Sequence, residues 1–238
     1  MIAGISNLTA DQIRRRILSF DSSYVNDWNT WLIVRRDYSL DHVASEFGRI
    51  LRRWQACRPN TMRRCRYEDA HGAPYLEDLV FKGIEVSSAL RDFDLRHVDA
   101  INEATEKALL ELWAIFKDLS YSGRCRNGLA GVVAISKAVL LLTEGRVGPA
   151  FDSKVRKRLG TGDILTAKDW IMNLKNVIED IAQFERLNQC SLSETVPEEY
   201  SGFHYGRLYD MIFGPAFRET LQYHPESYRR VDNLSLLF

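Results

Sequence analysis

GLAGVVAISKAVLLLTEGRVGPAFDSKVRKRLG, residues 128–160, sets two helices around a Gly/Pro-rich loop. The apolar run Ala138–Leu142, with its neighbours, has the length of a buried helix and is too short for a bilayer span. Lys137 stands at the head of that run. Gly145, Gly148 and Pro149 then break the helical pattern. Asp152 opens a second, short helix that is strongly basic, Ser153–Arg158. A lysine and an aspartate brought together across such a helix–loop–helix can act on a sugar.

Outward from this stretch, the apolar spacing is helical nearly throughout. Thr9 and Gln12 form a capping-box pattern ahead of Ile13, Ile17, Leu18 and Phe20. Val25, Trp28, Trp31 and Leu32 mark a second helix. Ser39 is placed to cap a third, which carries Val43, Phe47, Ile50, Leu51 and Trp54. Residues 56–75 hold Pro59, Gly72 and Pro74 among Arg58, Arg63, Arg64 and Arg66, and read as an exposed basic loop. A long helix is expected over Val98–Leu119. Another, capped by Thr166 and Asp169, carries Trp170, Ile171, Leu174, Val177, Ile178, Ile181 and Phe184. Residues 188–202 read as a polar loop in which Pro197 can start a short helix. Tyr205–Phe213 reads as a last core helix ended by Gly214-Pro215.

No segment alternates as a strand between hairpin turns. The fold class is therefore all-α, a multi-helix, two-lobed arrangement of nine or ten helices. The break over residues 56–95 divides an N-terminal helical lobe with a basic loop, residues 1–95, from a second lobe, residues 96–238. A chain of 238 residues with 45% hydrophobic content can bury a substantial core. The N-terminus has no basic region followed by a long apolar stretch, so no secretory signal is expected. The expected location is the cytoplasm, with no membrane association.

The net charge of zero hides an alternation. Residues 1–66 carry 12 basic and 6 acidic residues, and residues 67–120 carry 5 and 12. Residues 121–160 carry 8 and 2, and residues 161–238 carry 7 and 12. Local fields of this kind attract a polyanion where net charge does not. Pairing of basic and acidic helices within the fold is the alternative use of the same pattern.

Cys57, Cys65, Cys125 and Cys190 form no C-x-x-C and no cluster with histidine, so zinc and iron–sulfur sites are not expected. They read as reduced thiols, with a Cys57–Cys65 disulfide as the alternative. His42, His71, His97, His204 and His224 lack metal spacing, and neither a P-loop nor a dinucleotide glycine pattern is present. No metal or cofactor is expected. Glu68-Asp69 and Glu77-Asp78 read as surface charge.

Lys137 has two readings. It snorkels from a core helix, or it points into a pocket where desolvation lowers its pKa and frees a nucleophilic amine. Asp152 is placed as a helix N-cap toward the Val155 amide. A capped aspartate is also a fixed one, suited to facing a cationic sugar transition state or orienting a water.

Taken together, Leu129-Ala130-Gly131-Val132, Lys137, the loop Gly145–Pro149 and Asp152 resemble the core of the helix-hairpin-helix DNA glycosylases. That family binds the DNA backbone through the amides of a Gly-containing hairpin turn. A Gly/Pro-rich loop then leads to an aspartate, and bifunctional members add a lysine that attacks C1′ of the sugar. The resemblance implies a helix-hairpin-helix-like element within residues 96–238. By position it matches Gly131 to the turn, Lys137 to the lysine and Asp152 to the aspartate. Val133–Ser136 intervene before the lysine here, and no proline precedes Gly131. The likeness covers about 30 residues, supported by the helical pattern and by Arg207–Phe213.

The resemblance implies hydrolysis of the N-glycosidic bond of a flipped base in double-stranded DNA, by a protein expected to be monomeric. The base is damaged, implying repair, or heavily modified, as in some phage DNA, implying defence. Lyase activity through Lys137 is the added possibility. Arg124, Arg126, Arg156 and Arg158 are the expected phosphate contacts. Phe151, Trp28 and Trp31 are pocket candidates that serve equally as core. Phe203 and Tyr205 are further stacking candidates. The alternative function is a non-catalytic helical DNA-binding or interaction protein, in which Asp152 only caps and Lys137 is a surface lysine.

Overall fold

Capping boxes start helices where the sequence places them. In a computed structural model describing residues 3–69, 72–121 and 128–216, Thr9 Oγ1 accepts the Gln12 amide at 3.2 Å and Gln12 Oε1 accepts the Thr9 amide at 2.9 Å. This exchange opens α1, Ala10–Leu18. Thr166 and Asp169 make the same exchange at the start of α8, Ala167–Asn188. Among the described residues the fold is all-α, with no β-strand. The remaining helices are α2 (Ser22–Asp37), α3 (Leu40–Arg53), α4 (Leu76–Ser87), α5 (Glu103–Phe116), α6 (Val132–Leu142), α7 (Ser153–Leu159), α9 (Leu192–Thr195) and α10 (Tyr205–Phe213).

The apolar run at residues 132–142 becomes the central helix. Every residue of α6 except Val133 is buried, and α3, α4 and α5 pack around it. Gly83 of α4 makes room for this: a β-carbon there would stand 2.6 Å from Phe116 and 2.7 Å from Leu142. The Trp31 indole of α2 donates to the Leu141 carbonyl at 2.8 Å, which ties the outer helix to the central one.

Core residues on both sides of residue 95 belong to one hydrophobic cluster. The N-terminal α1 packs against α9 and α10. Just before it, Asp180 of α8 accepts the Ile5 amide at 2.6 Å, the Ser6 hydroxyl at 2.6 Å and the Tyr209 hydroxyl at 2.8 Å. The start of the described chain is thereby fastened to its last helices. No helix among the described residues is long and apolar enough to cross a membrane.

Three sequence expectations change. The helix expected from Val98 starts at Glu103, because the Asn102 side chain accepts the Ala104 and Thr105 amides and fixes the N-terminus there. Residues 188–202 contain α9, whose Ser191 amide donates to Glu194 at 2.6 Å, ahead of the short helical turn expected after Pro197. Within the basic segment 56–75, Arg63 is only 1% exposed. Its guanidinium lies over Tyr121 at 4.0 Å and donates to the carbonyls of Asp118, Gly72 and Ala73. Arg63 therefore holds that segment to the fold, while Arg58, Arg64 and Arg66 stay exposed. Cys57, Cys65 and Cys190 are free thiols, so Cys57 and Cys65 are not bridged.

A candidate site at the junction of α6, α7 and α10

Two hydroxyls fix the loop between α6 and α7. Ser136 and Thr143 are seven residues apart, two helical turns, and so share a face of α6. Ser136 Oγ donates to the Val132 carbonyl at 2.6 Å and accepts the Phe151 amide at 2.9 Å. Thr143 Oγ1 donates to the Val139 carbonyl at 2.7 Å and accepts the Val147 amide at 3.1 Å. The loop is thus laid back along α6, and its end, Asp152, arrives beside Lys137.

The loop also leans on α10. Gly145 has φ +82°, and a β-carbon there would stand 2.6 Å from Arg207 Cβ. Gly206 lets the backbones meet: its own β-carbon would lie 2.6 Å from the Gly145 carbonyl oxygen. The Arg207 amide donates to that same carbonyl at 3.1 Å. Further along, the Ala150 amide donates to Asp210 Oδ1 at 3.1 Å. Helix α10 therefore grips the loop at both ends.

Asp152 is the N-cap of α7, as expected. Its Oδ1 accepts the Lys154 and Val155 amides, each at 2.9 Å. Its Oδ2 faces the Lys137 ammonium at 3.8 Å. That distance is too long for a hydrogen bond, so the attraction is Coulombic. Lys137 is 6% exposed, and its Nζ donates to the Trp54 carbonyl just beyond α3 at 2.6 Å. An ammonium has three donors, so this bond does not exhaust it. Lys137 does not snorkel to solvent: it ends inside, beside a carboxylate.

A second ion pair backs the first. Arg207 and Asp210, one helical turn apart on α10, meet at 2.8 Å. Arg207 is fully buried. Its guanidinium lies over the rings of Trp28 at 4.6 Å, Phe20 at 5.1 Å and Trp54 at 5.6 Å, and donates to the Tyr24 carbonyl at 3.3 Å. Tyr24 in turn stacks on Trp54 with ring centres 5.4 Å apart. Trp54 thus serves both pairs, its carbonyl holding Lys137 and its ring lying beneath Arg207.

Burial disfavours charge on each buried member. It pulls the Lys137 pKa down, against the carboxylates of Asp152 and Asp210, which raise it. It pushes Asp210 up to about 6, with the neighbouring Asp152 adding to the rise while Arg207 and Lys137 oppose it. Burial also lowers the Arg207 pKa, against Asp210. The Cys57 thiol is pushed up to about 11 by burial, with Lys137 acting the other way. Two cations and two anions thus share one poorly solvated junction. The arrangement presents a carboxylate oxygen of fixed direction next to an amine whose proton is held less tightly than in water.

The other anticipated residues are placed as follows. Phe151 and Trp31 are completely buried, and Trp28 supports Arg207. Arg156 pairs with Asp163 at 2.9 Å. Arg158 donates to the Phe213 carbonyl at 2.8 Å and to that of Gly214, which caps the end of α10. Gly131 is the exposed N-cap of α6, where a β-carbon would meet nothing within 4 Å. Leu129 and Ala130 donate back to the Ser120 and Lys117 carbonyls, so the approach to α6 is tied to the end of α5. Arg124 and Arg126 lie outside the described residues. Among the described residues no cluster of three or more His, Cys, Asp or Glu is placed to hold a metal ion.

The sequence reading did not single out Arg207, Asp210, Ser136 or the Trp54 carbonyl as parts of a site. A signal existed for the first two. Arg207 and Asp210 are spaced i,i+3 within Tyr205–Phe213, a helix buried along its whole length, where charged residues need partners. No protein-family model matches this chain, and no curated protein or solved structure matches it.

Proposed function

We propose that this chain is a DNA glycosylase that hydrolyses the N-glycosidic bond of a flipped damaged or modified base. The observation that carries the reading is the meeting of Lys137 and Asp152 at 3.8 Å, one buried and the other half-buried. The sequence resemblance assigns these same two residues to the chemistry.

In this reading Asp152 supplies a negative charge whose direction is set by two helix amides on its other oxygen. Such a preorganised anion stabilises the positive charge that develops on the sugar as the base departs. It also accepts the proton of the water that adds at C1′. When charged, Lys137 attracts the Asp152 carboxylate across 3.8 Å. When neutral it is a nucleophile for C1′ of the opened sugar, forming an imine with loss of water. The exposed arginines Arg58, Arg64 and Arg66 belong, in this account, to the surface that meets DNA phosphates.

The test is the formation of abasic sites in duplexes carrying ordinary lesions or phage-type modified cytosines. Asp152→Asn is expected to keep the fold and DNA binding and to lose base release. Borohydride reduction, which traps an imine as a stable amine, is expected to give a DNA adduct lost in Lys137→Ala if the lyase branch operates.

One observation favours a second reading. The 2.6 Å bond from Lys137 to the Trp54 carbonyl is also what a structural lysine makes when it closes a helix end. In that reading the chain is a non-catalytic DNA-binding or interaction module. Asp152→Asn then leaves the cap nearly intact, since asparagine caps about as well as aspartate, and has no effect on any activity.

A further inference from the structure

The Lys137–Asp152 pair is not set by its own two residues. Both of its supports lead to α10. The loop that delivers Asp152 is held by the Asp210 carboxylate through the Ala150 amide, two residues before Asp152. The carbonyl that holds Lys137 belongs to Trp54, whose ring lies against Arg207, the ion-pair partner of Asp210. Asp210 is buried and both of its oxygens are engaged, Oδ1 by Ala150 and Oδ2 by Arg207. It is therefore poorly placed to touch a substrate itself and well placed to act through its neighbours.

The charges at the junction can be followed element by element. Lys137 on α6 lies 3.8 Å from Asp152 at the head of α7 and donates to the Trp54 carbonyl beyond α3, and the charges of Asp210 on α10 and of the Cys57 thiol also act on it. Asp210 faces Arg207 on its own helix, Asp152 and Lys137. Arg207 in turn is acted on by the charges of Asp27 of α2 and of Tyr200. Asp27 is already committed to Arg49, Arg53 and the Trp54 indole. Two carboxylates therefore act on one buried amine. Lys137, Arg207 and Asp210 are buried, so screening is weak and each charge contributes more than it would at a surface.

We propose that Asp210 is the positioning residue of the Lys137–Asp152 site: it anchors the loop that carries Asp152 through the Ala150 amide and, as a second carboxylate at the same buried junction, favours the charged form of Lys137. Without Asp210 the amine would face one carboxylate and the full effect of burial, and would become neutral at lower pH. The loop would also lose the acceptor for Ala150. This role goes beyond the glycosylase reading and does not depend on it, since it concerns a proton on Lys137 and not any substrate.

The experiment follows the ¹³Cε resonance of Lys137 in the full chain between about pH 6 and 10.5, with the signal assigned by its loss in Lys137→Arg. Asp210→Asn is expected to lower the titration midpoint by about one pH unit, the size of effect a nearby opposite charge exerts. Asp210→Glu keeps the charge with a longer reach. It is expected to leave the midpoint near the wild-type value while the Ala150 amide exchanges faster. Asp163→Asn, at an exposed ion pair with Arg156, is the control expected to change nothing.

An unchanged midpoint in folded Asp210→Asn overturns the proposal. So do equal shifts in the Asn and Glu variants, which would show that shape rather than charge matters. If Asp210→Asn does not fold, the wild type decides. Its Asp210 ¹³Cγ signal, assigned by its absence from the aspartate spectrum of Asp210→Glu, is expected to show a step at the Lys137 midpoint. Absence of that step overturns the proposal. Base release enters none of these readings, so a failed glycosylase assay leaves the outcome intact.

Discussion

Gly145→Ala should damage the junction in a way that can be worked from the backbone. Gly145 adopts φ +82°, and a side chain in the left-handed region costs about 1–2 kcal/mol. The added β-carbon would also stand 2.6 Å from Arg207 Cβ and 3.3 Å from the Trp28 ring. Arg207 Cβ is fixed to α10 and its side chain is enclosed, so it has no free end to swing away. Overpacking of this kind costs about 1–3 kcal/mol. The expected total is about 2–5 kcal/mol. Gly160→Ala provides the internal reference. Gly160 has φ +67°, but a β-carbon there meets nothing within 4 Å. Only the conformational cost remains there, and the offset of about 0.4–1 kcal/mol from alanine restricting the unfolded chain applies to both substitutions alike. Urea denaturation followed by far-UV circular dichroism gives both values, compared at equal slope. If Gly145→Ala costs no more than Gly160→Ala, the loop does not press on α10, and the account of how Asp152 is delivered is wrong.

Other outcomes follow from single contacts. Asp210 has its carboxyl raised to about 6 from an ordinary 3.8 by burial. The native state therefore holds this proton more tightly than the unfolded chain, and the contribution of Asp210 to stability falls as pH rises from about 4 to about 6. Asp210→Asn should flatten that part of the wild-type stability profile; a profile of unchanged slope would contradict it. Asp180→Ala strands the buried donors of Ile5 and Tyr209 and the half-buried hydroxyl of Ser6. It should cost about 3 kcal/mol or more and remove hydrogen-exchange protection at Ile5 and Ser6. Trp31→Phe removes the indole donor to the Leu141 carbonyl, which still accepts the Glu144 amide, and the lost bond should cost about 0.5–1.5 kcal/mol in denaturant; no loss would mean the bond is replaced.

Local signals in the sequence carried far. Thr9 with Gln12 and Thr166 with Asp169 lie next to each other along the chain, so their caps need no knowledge of the fold. The end of α10 at Gly214-Pro215 and the cap of α7 by Asp152 are local in the same sense. What was not legible depended on distant partners. Arg63 looks like one more arginine in a basic loop until Tyr121 and the carbonyls around it are in place. The start of α5 is by contrast a local signal, a cap by Asn102 on the Ala104 and Thr105 amides, which apolar spacing over Val98–Leu119 passes over. Ser39 sits at the N-cap of α3 as expected, yet no capping bond from its side chain forms.

The candidate site divides in the same way. Lys137 and Asp152 were visible because a lysine heading an apolar run and an aspartate opening a basic helix are each unusual locally. Their support was not visible. Asp210 acts 60 positions from Ala150 and Trp54 acts 83 positions from Lys137. Glycines 145, 148 and 206 gave no sign in the sequence that they exist to let a loop and a helix touch.

The most direct test of the central claim is the single-turnover rate of base release by wild type and Asp152→Asn, at equal folded fraction and equal DNA occupancy. The wild type should produce abasic sites on at least one lesion or modified-base duplex. The rate should fall about 10²-fold or more in the variant, the scale on which such a positioned group acts. Equal rates in the two proteins, or firm DNA binding with no release from any duplex, would contradict it.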